Sequence, residues 1–546
     1  MLTLTRENNM IKTKKTIDIT SYLDKNLSIN ELMKNSLFYT FLFGLCAHMY
    51  AFTNLTVSHD SLGALHAFDA WKVSLGRFGV VIYKFFTGSF ITLPWSAGII
   101  SLTFVAISVF LICRIFCLTK RWNVLAVSGI LITNMTVTSL IATYIHDLGA
   151  DMLALLFSVL AAYIWSRIKQ YSESPPKHIF PSDNKRNIII PYLLFIFCII
   201  SSLSLYQSYL SVTLVIILLI LLRDLCEGKS FIKVLKTGSL TSIYILAACL
   251  AYLVLALLAC KVIGEPLNTS SYNSLSNITN ASIPVTSRLF NTFYNVIKAL
   301  FIKPQSLFRY PAVIFAHILL IGISIRSGIK KWLNLKIKEK ILATGMILSI
   351  PFAMNISGFL NGFSHDLMFY AIYLFYIPVI ILNSKESVME AAYKRKKRIF
   401  TILGMIGIII FSNIQSANAF YVKKDTERQA TLSLVTQALS VISQQNGYQY
   451  GKTPIAFLGN PLDQEEIRLS EGNMEDLPGF DLRAQVTYYD TWNAYMKNIL
   501  NYKVNICTLE EIEALEMKKE VQSMPCFPNK GSVKTINGVI VAKFSD

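Results

Sequence analysis

Long apolar runs recur along this chain at close to the length of a bilayer crossing, separated by short basic clusters. Roughly 20 apolar residues are what an α-helix needs to cross hydrocarbon. In lipid every backbone N–H and C=O must be satisfied internally, so such runs are restricted to helices. The runs predict about eleven spans, near 36–56, 97–118, 123–143, 148–166, 188–205, 209–222, 239–263, 310–326, 341–357, 366–383 and 399–415. The fifth and sixth are short and close together. The expected fold class is a polytopic α-helical membrane protein. Composition agrees: 53% of residues are hydrophobic and 15% charged, with mean hydropathy +0.47, too apolar for a soluble domain.

The net charge of +18 would suit a nucleic-acid binder, but its distribution does not. With the N-terminus inside, about 30 Lys+Arg fall on cytoplasmic segments and about 8 on outer loops, and 13 lie in the C-terminal tail. That is the positive-inside asymmetry of a membrane protein, so the expected partner is the lipid bilayer and no nucleic acid is called for. The first 35 residues carry six Lys/Arg and no cleavage signal, so the first span reads as an anchor. Lys394-Arg395-Lys396-Lys397-Arg398, an apolar run and Ala417-Asn418-Ala419 have the outline of a signal peptide, but read as a last span with a basic flank.

Three regions follow. Residues 1–35 are a basic cytoplasmic arm, and 36–419 the membrane domain, with long outer loops at about 57–96 and 264–309. Residues 420–546 form a small α/β domain on the outer side, where 16 acidic residues accompany the 13 basic ones and no spanning run occurs. In this tail, Thr453–Gly459 reads as a buried strand, and 425–445 and 509–520 as helices. Val533–Ile536, Asn537-Gly538 and Val539–Ala542 read as a hairpin, since Asn-Gly suits a type I′ turn. Cys507 and Cys526 sit in the tail, and a tail outside the cytoplasm could join them as a disulfide. In the outer loops, stretches such as Ala70–Phe78, Val80–Phe86 and Arg288–Phe301 mix aromatics with cations, as interfacial helices do.

The chemistry concentrates on one side. Of the chain's 7 histidines, three precede an aspartate, in His59-Asp60, His146-Asp147 and His365-Asp366, each beside the end of an apolar run. The membrane domain's outer face holds only six carboxylates: Asp60, Asp69, Asp147, Asp151, Glu265 and Asp366. Asp60 directly follows the first span, with His59 beside it and Asp69 nine residues on. A carboxylate there can take a proton from an attacking sugar hydroxyl, or cap a helix over Ser61–Ala67. Asp147 and Asp151, spaced i,i+4, share a helix face and repel unless a cation, metal or proton separates them. They are candidates for substrate or metal binding, or Asp147 is a cap and Asp151 faces a polar cavity. His365-Asp366 has the same ambiguity. A divalent metal is conceivable, though adjacent His-Asp lacks the i,i+4 His spacing of a helical zinc site. Arg77 is the best candidate for binding a phosphate, because guanidinium can do so bidentately, with Lys72 and Lys84 near it in sequence.

Ser58-His59-Asp60 after the first span, then Trp71…Leu75-Gly76-Arg77-Phe78, resembles the Gtr-type O-antigen glucosyltransferases of serotype-converting phages and their bacterial relatives. The resemblance implies a GT-C-like membrane glycosyltransferase in the bacterial inner membrane with a periplasmic C-terminal domain. It implies a polyprenyl-phosphate sugar as donor, lipid-linked O-antigen of lipopolysaccharide as acceptor, and inversion at the anomeric carbon. It places the catalytic carboxylate at Asp60 and further substrate-binding groups at Asp147 and Asp151. A flippase and a donor-synthesising glucosyltransferase would be functional partners. The competing classes are a surface-polysaccharide polymerase and a proton- or ion-coupled transporter. The transporter would be expected to show matched repeats with broken spans, which are not found.

Overall fold

The computed structural model describes residues 19–55, 58–65, 71–173, 186–268, 284–302, 311–361, 366–384, 392–461, 486 and 489–546. Among these, eight helices are long and apolar enough to cross a membrane. They match eight of the eleven predicted spans in order. Helices also stand at the other three positions. Arg186–Leu205 carries Pro191, Ile337–Met354 opens on Lys338-Glu339-Lys340, and Tyr370–Ser384 starts as a 3-10 turn before becoming α-helical.

One predicted span is broken. The run 123–143 forms Arg121–Thr133 and then Met135–Tyr144, parted at Asn134, whose ψ is 154°. The Asn134 side chain accepts from Val137 N and donates to the Ile130 and Leu131 carbonyls. It thereby caps both halves, competing locally with the backbone ladder as asparagine does. The Tyr370 hydroxyl also donates to Leu131 O, at 2.7 Å, and His48 Nε2 stands 2.8 Å from Ile132 O.

Alternating loops gather at opposite ends of the bundle. At one end Asp24 pairs with Lys120 (2.9 Å) and Arg395 (2.6 Å), and Asp224 pairs with Lys169 and Lys229. The segments around Ser58–Ser61, Trp71–Thr87, His146-Asp147 and Tyr206–Tyr209 meet at the other. The basic clusters and the His-Asp end are thus separated by the length of the helices, as the charge distribution anticipates.

The last helix runs from Ala392 to Ser443, so the expected boundary at 419/420 falls inside a single element of about 78 Å. Its far part carries Val435, Ala438 and Ile442 into the core of the C-terminal unit. That unit has a four-stranded sheet of order β2-β1-β4-β3: β1 Pro454–Leu458, β2 Asn505–Ile506, β3 Val533–Ile536 and β4 Val539–Lys543. β1 lies parallel to β2 and β4. β3 and β4 form the anticipated hairpin, with Asn537 and Gly538 both at positive φ (53° and 81°), the type I′ signature. Helices Leu509–Glu516 and Lys519–Gln522 replace the single one expected over 509–520. No disulfide joins Cys507, which is buried, to Cys526. Burial pushes the Cys507 thiol up to about 11, keeping it protonated.

Candidate active site

The site is assembled from the short loop helix Trp71–Ser74, the helix Phe78–Thr87, the turn between Tyr144 and Leu148, and the 3-10 turn Gln207–Tyr209. Lys72 Nζ stands 2.6 Å from Asp147 Oδ2, and Lys84 Nζ 2.8 Å from Asp147 Oδ1. All three residues are at most 5% exposed. His146 adds Nε2 at 3.5 Å from Asp147 and Nδ1 at 3.2 Å from the Ser61 hydroxyl. Each oxygen of Asp147 therefore faces an ammonium group, and this carboxylate organises the cations. Burial alone would raise its pKa, but Lys72, His146 and Lys84 outweigh that and hold it well below the usual carboxylate range.

Glycines let these elements close up. At Gly149 a Cβ would stand 1.9 Å from the Tyr83 hydroxyl, so only glycine lets the helix bearing Lys84 approach the turn bearing Asp147. Gly76 has φ +78°, and a Cβ there would come 2.4 Å from the Tyr252 hydroxyl. Around it the loop is held through four successive carbonyls. Val73 O accepts from Cys260 Sγ (3.4 Å) and Ser74 O from Asn268 N (2.9 Å). Leu75 O accepts from Gln207 Nε2 (2.8 Å) and Gly76 O from the Tyr252 hydroxyl (3.2 Å). The Gly76-Arg77 pair in the sequence is therefore a backbone requirement that aims the next side chain.

That side chain is Arg77. Its guanidinium lies over the Tyr206 ring, 4.4 Å from the centroid, in a cation–π contact. Its buried Nε has no hydrogen-bond partner. Asp151 and Asp147 are within its electrostatic reach. Asp151, buried one turn after Asp147, receives no hydrogen bond or ion pair among the described residues, in contrast to its ion-paired neighbour. Tyr209, also without a partner for its hydroxyl, lies close enough to feel the Asp151 charge. Three cations, Lys72, Lys84 and Arg77, thus surround two carboxylates, and a buried excess of positive charge suits an anion such as a phosphate.

The structure brings His59, Arg77, Asp147 and Asp151 to one end of the bundle. His59 and Asp60 stand on the helix His59–Leu62, tied to this cluster through Ser61. The side chain of Asp60 lies outside what is described, as does that of Asp366, which opens the 3-10 turn Asp366–Met368. Asp69 and His365 lie outside the described residues altogether. Among the described residues no group of three or more His, Cys, Asp or Glu is placed to hold a metal. Sequence reasoning overlooked Gln207, Tyr206, Tyr209 and Tyr252. For the first three the signal was the Tyr206-Gln207-Ser208-Tyr209 interruption between two apolar runs, where polar and aromatic residues crowd a short turn, whereas Tyr252 sits inside an apolar run and carried none.

His146 makes acid a threat to this arrangement. Burial, which outweighs the neighbouring Asp147, and the ammonium groups of Lys72 and Lys84 lower its pKa from the usual 6.5 to about 3. Below about pH 6.5 the unfolded chain therefore takes up a proton that the folded one refuses. The stability present above that pH drains away as pH falls, by about 2 kcal/mol at pH 5. Thermal melting across pH 5–8 should show this slope, and His146→Gln should flatten it. Parallel curves for the two proteins would exclude a buried neutral His146.

The fold and the site define a membrane-embedded protein with a buried, cation-rich centre at one end of its helices. The chain matches the family described as Glucosyl transferase GtrII over residues 49–393 and belongs to it. It is a glucosyltransferase of that family, as the resemblance around Asp60 and Gly76-Arg77 anticipated. Neither a curated protein nor a solved structure matches the chain.

Proposed function

We propose that this glucosyltransferase takes glucose from a polyprenyl-phosphate donor and transfers it to a hydroxyl of lipopolysaccharide O-antigen, on the periplasmic face of the bacterial inner membrane. The observation that carries this reading is the buried, unpartnered Nε of Arg77, with two buried lysines at the same His-Asp end of the bundle. A departing lipid phosphate gains negative charge as its bond to sugar breaks, and preorganised donors stabilise that charge best where water is excluded. The positive-inside asymmetry supports a periplasmic location for this end.

The acceptor oxygen attacks the anomeric carbon from the face opposite the phosphate. The new C–O bond forms as the old one breaks, so configuration inverts and polyprenyl phosphate leaves. Asp60 receives the acceptor's proton. Arg77 receives the phosphate, with the field of Lys72 and Lys84 behind it. Asp151 orients sugar hydroxyls, while Asp147 keeps the lysines in place. His59, Asp69, His365 and Asp366 supply further substrate-binding groups. A flippase and a donor-synthesising glucosyltransferase would deliver the donor to this face.

Purified protein in proteoliposomes, given radiolabelled polyprenyl-phosphate glucose and O-antigen lipid, should transfer label to the acceptor. Absence of transfer by folded wild-type protein would remove the donor and acceptor assignment. Asp60→Asn should lower turnover by roughly 100- to 10,000-fold with donor binding retained. Wild-type turnover in that variant would sink the role of Asp60 as base.

A further inference from the structure

We propose that the C-terminal unit is the positioning element for the loop that carries Asp60, acting through Leu62, Leu65 and Asn498. The inference rests on the function just argued and adds a role for a part of the chain beyond the family match, which ends at residue 393.

The helix His59–Leu62 has four residues and no side-chain cap bond, so it cannot hold its own conformation. Two bodies hold it. On one face, the Ser58 and Ser61 hydroxyls both donate to Thr143 O, at 2.7 and 2.6 Å, and Ser61 also meets His146. That face is fastened to the membrane bundle at the cation cluster. On the other face, Leu62 and Leu65 are buried in the apolar core of the C-terminal unit, together with Val435, Trp492, Tyr495 and Phe544. Asn498 Nδ2 donates to Leu62 O at 2.7 Å. Thr92 N, closing the far side of the same loop, donates to Leu65 O at 3.1 Å.

The first outer loop thus contributes two residues to the core of a unit that begins more than 350 residues later. Asp60 stands on the backbone between the two attachments. Its distance from Arg77 is set on one side by the bundle and on the other by the docked tail. Small displacements of a reacting group are costly in rate, so loosening the tail contact should slow chemistry before it weakens donor binding. A second apolar cluster in the same unit, containing Ile512, Leu515 and Val521, includes no loop residue and offers an internal control.

The test uses the full-length protein in proteoliposomes. Asn498→Asp, near-isosteric but without the amide donor, should lower kcat about tenfold while donor KM stays within about twofold. The stability of the tail, read by hydrogen exchange at the amides of β1 and β4, should be unchanged, and Asn498→Gln should recover part of the rate. Leu515→Ala should lower tail melting yet leave kcat unchanged at temperatures where the unit is folded. Wild-type kcat in Asn498→Asp would overturn the proposal. So would an equal kcat loss in folded Leu515→Ala, because the tail would then matter only as a folded mass.

Hydrogen exchange on the wild-type protein gives a reading that depends on no variant. The amides of residues 61–65 should open at the same denaturant concentration as those of β1 and β4. Opening of the loop while the strands stay protected would equally overturn the proposal. If wild-type protein fails to transfer glucose, the function falls and the exchange result still decides this inference.

Discussion

Asp147→Asn is expected to destabilise the protein by about 3–5 kcal/mol, because it strands two buried lysines. Lys72 and Lys84 are held within 2.6 and 2.8 Å of this one carboxylate, with almost no access to water. A loss of that size is a large share of an ordinary folding free energy, so lower yield and a lower melting temperature in detergent should both appear. Lys84→Met should be milder, since Asp147 keeps Lys72 as its partner. The triple change Asp147→Asn, Lys72→Met, Lys84→Met should recover much of the lost stability, because no unpaired charge remains buried, while activity stays absent. A wild-type melting temperature in Asp147→Asn would show that the cluster is not the charge-balanced core described above.

Arg77→Met should do the opposite, sparing the fold and removing the activity. No ion pair ties Arg77 down among the described residues, and its main contact is the Tyr206 ring. Loss of a donor aimed at developing charge is expected to lower kcat roughly 100- to 1,000-fold. Arg77→Lys keeps the charge but loses the planar fork and much of the stacking, so it should recover only part of that rate. Glucose transfer by purified variants, with melting measured alongside, checks both. Near-normal turnover in Arg77→Met would remove Arg77 from phosphate binding. The two neighbours thus separate by readout: Asp147 chiefly through stability, Arg77 chiefly through rate.

Much of the architecture was legible beforehand because it rests on short-range signals. Span positions follow from runs of apolar residues, and the β3–β4 hairpin from Asn537-Gly538, whose positive φ values the turn requires. The Gly76-Arg77 pair was legible as a motif, yet its reason was not. Glycine is needed there because Tyr252, from a helix about 175 residues later in the chain, occupies the space a side chain would take. The break at Asn134 was missed since an asparagine inside an apolar run reads as a tolerated polar residue until its side chain is seen capping both halves.

The three His-Asp pairs pointed to one end of the molecule, and loop context singled out Asp60 among them. In His146-Asp147, identical spelling conceals a histidine kept neutral and a carboxylate ion-paired to two lysines. Asp147 and Asp151 shared a face as an i,i+4 pair, with cap and cavity as the other reading, and folding made Asp147 the partner of two lysines and left Asp151 without an ion pair among the described residues. By itself the sequence determined that this chain holds many helices able to cross a membrane, which of their ends bear its rare charges, and which family it resembles. Each of these is written in residues near one another along the chain. Only the tertiary structure decided which lysines neutralise which aspartate, what holds Arg77 in place, and that the tail shares its core with the loop after the first span. Those outcomes depend on side chains that meet across tens to hundreds of residues, where desolvation and packing choose the partner and local pattern carries no record of the choice.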